Sequence, residues 1–199
     1  MTYFAFVVLV ILAGAIALVY LDAKSKKLKR QKLVEEANGF MRDVMRRSAL
    51  ETAATTAMLG SDEQAFYSQP SVLSETRAVR RYQAGSAGFR VAKGVFVGGT
   101  KGTSYSTQEL SKIDSGVLTV TNKRILFVGN NASSRTIKLA KIIAAEPGLS
   151  EIEVSIEGRQ KTMIFSAPNP LVLSAIVLIC TKAPDPRDLS GDTINIRFE

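Results

Sequence analysis

Residues 116–142 read GVLTVTNKRILFVGNNASSRTIKLAKI. Two short apolar runs, 116–121 and 124–129, flank the polar tetrad Thr121-Asn122-Lys123-Arg124, and a third run, 135–142, follows Ser133-Ser134. β-Branched and aromatic residues in runs of this length, divided by Asn, Ser and Gly, predict strands joined by tight turns. Asn122-Lys123 holds a hairpin position, where Asn tolerates a positive φ. Arg124 is expected to lay its stem along the sheet or to pair across strands.

The same period of two extends outward. FRVAKGVFVGG from Phe89, EIEVSIE from Glu151 and KTMIFSA from Lys161 are further strand-like runs, and Gly158-Arg159 is a second hairpin turn. Ile152, Val154 and Ile156 alternate with Glu151, Glu153, Ser155 and Glu157, as in a strand buried on one face and wet on the other. An antiparallel meander follows from this order. Residues 169–182, NPLVLSAIVLICTK, predict a closing helix with Asn169 as N-cap, Pro170 in the first turn and Lys182 near the end. Its expected apolar face is Leu171, Ala175, Ile176, Leu178 and Ile179, and it is too short to cross a bilayer. The polar tail, residues 184–199, contains TINIRF, a candidate edge strand.

These residues carry a resemblance. GVLTVTNKRILFVG, SSRTIKLAKIIAAE and EIEVSIEGRQKTMIFSAPNPLVLSAIVLI resemble the bacterial PH-like and GRAM-like domains of the pleckstrin-homology superfamily, over roughly residues 76–182. The resemblance implies a partly open antiparallel β-barrel with one end plugged by the C-terminal helix. The pattern is mostly structural and identifies a fold better than a function; superfamily members that bind phosphoinositides do so through basic residues in a loop between early strands. No compact clamp of that kind is evident. Arg77, Arg80 and Arg81 form the densest cluster and are a candidate ligand or partner surface, or else a solvated strand or helix face.

The front of the chain differs. Residues 3–21, YFAFVVLVILAGAIALVYL, contain no charge, and at about 1.5 Å per residue a helix of this length spans about 28 Å, the depth of a bilayer's hydrocarbon core. A secretory signal peptide is the rival reading; Met1-Thr2-Tyr3 lacks the basic residue such a segment carries. Lys24, Lys26, Lys27, Lys29, Arg30 and Lys32 follow at once and are expected to contact an anionic membrane surface. By the positive-inside rule they keep this flank cytoplasmic, with the N-terminus outside.

Beyond them Leu28, Leu33, Ala37, Phe40, Met41, Val44 and Met45 recur at helical spacing. Asn38-Gly39 predicts a kink or break in that helix. The stripe, with Phe40 and Val44 at its centre, is expected either to dock a partner or a second copy, or to pack on the C-terminal domain or the membrane. Residues 48–60 predict further helix ending at Gly60. The expected organisation is an anchor (1–23), a helical stalk and linker (24–70), a PH/GRAM-like α+β domain (71–183) and a polar tail (184–199).

Composition narrows the function. The net charge of +8, from 26 Lys and Arg against 18 Asp and Glu, suits an anionic partner, and the juxtamembrane cluster explains much of it without nucleic acid. The chain has no histidine, which removes Ser-His-Asp and Cys-His nucleophile activation and His-containing zinc sites. Cys180, alone in an apolar run, reads as a buried core thiol. The glycine-rich residues 94–107 lack the Gly-Lys-Ser/Thr ending of a phosphate loop and read as a hairpin loop. Glu151, Glu153 and Glu157 read as a solvated face, not a Ca²⁺ site. No catalytic, metal or cofactor site is expected. The expectation is a membrane-anchored, non-enzymatic binding or scaffold module; an accessory subunit of a membrane complex is the alternative, and a hydrolase the weakest reading.

Overall fold

A computed structural model describes residues 2–92, 95–131, 133–159, 161–190, 196 and 198; side chains are described except at 2–13, 15 and 77–108. The chain is α+β: helix α1 (Thr2–Arg47), strands β1 (Ala65–Ala92), β2 (Val95–Thr121), β3 (Arg124–Gly129), β4 (Arg135–Lys138), β5 (Ile142–Pro147), β6 (Glu151–Ile156) and β7 (Met163–Ser166), then helix α2 (Pro170–Lys182).

The strands form one seven-stranded antiparallel sheet in the order β4-β3-β2-β1-β7-β6-β5. Two meanders, β1 to β4 and β5 to β7, are joined where β1 pairs with β7 at Leu73–Phe165, Ser74–Ile164 and Glu75–Met163. No ladder joins the edge strands β4 and β5, so the sheet is not closed. Only the 3₁₀ turn Leu139–Lys141 separates them in the chain, splitting what the sequence reads as one strand. The sheet must therefore curl to bring its edges together at that end.

β1 and β2 are far longer than the usual strand of about six residues. Their pairing continues from Gly116 opposite Ser71 out to Val95 opposite Ala92, with a bulge between Leu73 and Ser74. Residues 95–107, expected to be loop, are thus strand backbone. Beyond Glu75 and Lys112 this ribbon has no third strand among the described residues.

The alternation expected in β6 is present: Ile152 and Val154 are buried while Glu153 faces water. Asn169 caps α2 by accepting hydrogen bonds from the N–H groups of Leu171 (3.1 Å) and Val172 (3.2 Å). Its buried face comprises Leu173, Ala175, Ile176, Val177, Ile179 and Cys180. Leu178, expected in that face, is 38% exposed. Phe127 and Phe165, with ring centroids 5.8 Å apart, lie in the same core.

Helix α1 is continuous through Asn38-Gly39, so the break, one of the two expectations there, does not occur. Packing on both sides outweighs the local cost of glycine: Leu33, Ala37, Met41 and Val44, spaced four, four and three apart, are all buried. A Cβ added at Gly39 would meet only Arg42 Nη2, at 3.8 Å. Gly39→Ala is accordingly expected to stabilise the protein by about 1 kcal/mol, read as a rise of about 2–4 °C in thermal midpoint.

The helix stops at Arg47, where Ser48 takes φ 50°, and the helix expected to run on to Gly60 is absent. Residues 49–64 are laid against the domain instead. Leu50 N–H donates to the Pro186 carbonyl (2.8 Å), Ala53 N–H to that of Ala65 (2.8 Å), and the Thr55 hydroxyl meets those of Thr119 (3.1 Å) and Ser68 (3.3 Å). The alanines of this segment favour helix and its threonines do not, and the long-range bonds satisfy backbone and hydroxyls better than further helical turns.

Candidate functional site

Two surfaces concentrate charge: the front of α1 and the tetrad at the β2–β3 turn. Ile16, Leu18, Val19, Tyr20 and Leu21 are each 60% or more exposed, an apolar sleeve with no protein cover. Lys24, Lys26, Lys27, Lys29, Arg30 and Lys32 then fall within nine residues, all exposed. At about 100° per residue they spread around the whole circumference of the helix. They form a collar and not a stripe. Lys26 pairs with Asp22 (2.8 Å) and Lys32 with Glu36 (4.0 Å), exposed contacts of little energetic weight. Among the described residues no helix is long and apolar enough to cross a membrane, and most of the 3–21 run lies outside those with described side chains.

The other candidate residues lie elsewhere. Val44 is 4% exposed in the core and Phe40 packs against that core, so the middle of the stripe, from Leu33 to Val44, is covered by this chain's own domain, while Leu28 and Met45 at its ends stay exposed. Arg77, Arg80 and Arg81 sit in β1 opposite Glu109, Ser106 and Tyr105, and their side chains lie outside the described residues.

The tetrad is a turn, and it is also a clasp. Thr121 Oγ1 accepts from the N–H groups of Lys123 (3.2 Å) and Arg124 (3.0 Å), closing the turn. Asn122 does not adopt the expected positive φ; among the described non-glycine residues only Ser48 does. Asn122 is engaged with the preceding loop: its N–H donates to the Gln64 carbonyl (3.1 Å) and its Oδ1 accepts from Gln64 N–H (3.0 Å). Arg124 reaches neither along the sheet nor across strands. It grips Glu63 with two bonds, Nε–Oε1 (2.7 Å) and Nη2–Oε2 (2.8 Å). Glu63 also accepts from Thr121 Oγ1 (2.8 Å) and Gly60 N–H (3.0 Å). Above all the Arg124 bond, and then those from Gly60 and Thr121, hold the Glu63 carboxyl down at about 2 against the opposing effect of burial. Lys123 pairs with neighbouring Asp62 at the surface.

A second buried carboxylate, Asp114, accepts from Asn131 N–H (2.9 Å), Asn131 Nδ2 (2.8 Å) and Ser115 N–H (2.8 Å), bracing the turn after β3. Burial acts to raise its pKa, but these bonds together bring it below the ordinary value. Each carboxylate is saturated by its own neighbours and serves the fold. No group of His, Cys, Asp and Glu among the described residues is placed to hold a metal ion. Burial pushes the Cys180 thiol up to about 12, leaving it a poor nucleophile.

The sequence carried no sign of Glu63 or Asp114, since a lone acid in a turn-rich segment looks like any other; only their partners single them out. No protein-family model matches the chain, and neither a curated protein nor a solved structure matches it.

Proposed function

We propose that this protein is a single-pass membrane protein whose PH/GRAM-like domain is held against the cytoplasmic face of the membrane as a non-enzymatic binding or scaffold module. The observation that carries this reading is the apolar sleeve of α1 running straight into the cationic collar. A helix lying in the plane of a membrane needs its cations on one side. A collar suits a helix that passes through the headgroup layer, where cations are useful at every angle. Lys24 stands about 5 Å and Lys32 about 17 Å beyond Leu21 along the helix axis, bracketing that layer. Leu33, the first buried residue among those described, comes next. The domain therefore begins close to the membrane surface, and tethering raises its effective concentration towards lipids and membrane partners.

Support for the PH-like part is the strand order, with β1 shared between the two meanders, and the capped C-terminal helix against the core. The accessory-subunit reading draws on Leu28, 57% exposed amid the collar, as an apolar contact for a neighbouring helix. A stoichiometric partner retained in mild detergent would favour it.

Carbonate extraction and protease protection test the proposal. The chain is expected to stay in the membrane pellet with an intact N-terminus, and its domain to be digested only from the cytoplasmic side. Release by carbonate, or a mature N-terminus near residue 16, overturns it.

A further inference from the structure

Ile196 and Phe198 are seated in a crevice with open space beside them. The chain is fixed as far as Leu189, which is buried and whose N–H donates to the Ser48 carbonyl (2.8 Å). Ile196 and Phe198 also pack against the core. Asn38 of α1 holds the Phe198 main chain at both polar groups: Nδ2 donates to its carbonyl (3.2 Å) and Oδ1 accepts from its N–H (3.3 Å). A side-chain amide used this way mimics a neighbouring strand and recognises any extended backbone. The apolar walls select what that backbone carries.

Open space flanks Phe198 on two sides. One cavity of about 550 Å³ lies between it, Leu33 and Val34 of α1, Leu149 of the β5–β6 turn and Leu171 of α2. Another of about 270 Å³ continues between β5 and α2, past Ile196, Ala145, Leu178 and Lys182. Both spaces open to solvent, and Phe198 is only partly buried where it packs against the core. Ile196 and Phe198 therefore leave apolar wall that a further side chain could cover.

We propose that this crevice is a peptide-binding site occupied in cis by Ile196 and Phe198, and that its ligand is an extended segment of a partner protein with apolar side chains two residues apart. That is the spacing of Ile196 and Phe198 themselves. Spacing of two suits an extended chain that places both apolar residues on the crevice side. Asn38, which in the sequence marks only a helix interruption, supplies the main-chain contact.

The test is fluorescence anisotropy of a labelled TINIRFE peptide with the full chain in detergent. Ile196→Asp/Phe198→Asp, which releases the tail, is expected to bind the peptide at least tenfold more tightly than the wild type. Adding Asn38→Ala is expected to weaken that binding about fivefold to tenfold, as loss of two net hydrogen bonds implies. A peptide with Asp in place of both apolar residues is expected not to bind. The proposal is overturned by a released variant of wild-type circular dichroism that binds no better than the wild type, or by equal binding of the Asp-substituted peptide. Phe198→Ala serves should the double variant fail to fold. Loss of fold in both makes the tail a core element and overturns the proposal as well.

Discussion

Gly116→Ala is expected to destabilise the fold by about 3 kcal/mol or more, at the upper end of what overpacking costs. Gly116 on β2 faces Gly129 on β3 across the ladder. A Cβ at Gly116 would overlap the Val128 carbonyl oxygen and come within 2.8 Å of both Val128 C and Gly129 Cα. These are backbone atoms of a paired strand and cannot rotate aside. Relief requires the two strands to separate at the point where Asn130 N–H donates to the Ser115 carbonyl (2.8 Å) and where Asp114 braces the following turn. Urea unfolding of the purified protein measures the loss. A change below about 1 kcal/mol would mean that the strands can part freely there.

Glu63→Gln is expected to cost about 2–3 kcal/mol at neutral pH. Breaking a fully buried pair costs about 3–5 kcal/mol, and the partial exposure of Arg124 reduces this. The amide keeps the volume but removes the charge that Arg124 grips in two places. The pH dependence distinguishes charge from shape. The Glu63 carboxyl is depressed from 4.5 to about 2, so its contribution is complete above pH 4.5 and is lost as pH falls through 2. The stability difference between wild type and variant should be flat from pH 5 to 8, shrink below pH 4.5 and be nearly gone at pH 2. A difference that stays constant down to pH 2 would assign the effect to packing.

Strands were legible where burial of one face leaves its mark on composition. β3, β6 and β7 were read from their apolar residues, and α2 from Asn169, Pro170 and the run after them. The β1–β2 ribbon is only partly legible: residues 89–99 read as a strand-like run, whereas the Gly-, Ser- and Thr-rich residues 94–107 read as a hairpin loop. A ladder of backbone bonds can pair such residues without asking anything of their side chains. The continuity of the helix through Gly39 escapes the sequence for a related reason. Local propensity weighs about 1 kcal/mol against it, and that is smaller than the burial of Leu33, Ala37, Met41 and Val44.

The sequence by itself determined the local order of this protein: an apolar run, a block of cations, an amphipathic stripe, alternating strands with their turns and a capped final helix. Each is written in residues that are neighbours in the chain, where spacing and propensity act directly. The tertiary structure alone decided that the middle of the stripe belongs to the domain's core, that Arg124 has its counter-charge 61 residues away in Glu63, and that Asn38 holds Phe198 across 160 residues. Such pairs leave no local pattern, because their stabilisation comes from removing specific groups from water together, and which groups meet is set by the path of the whole chain.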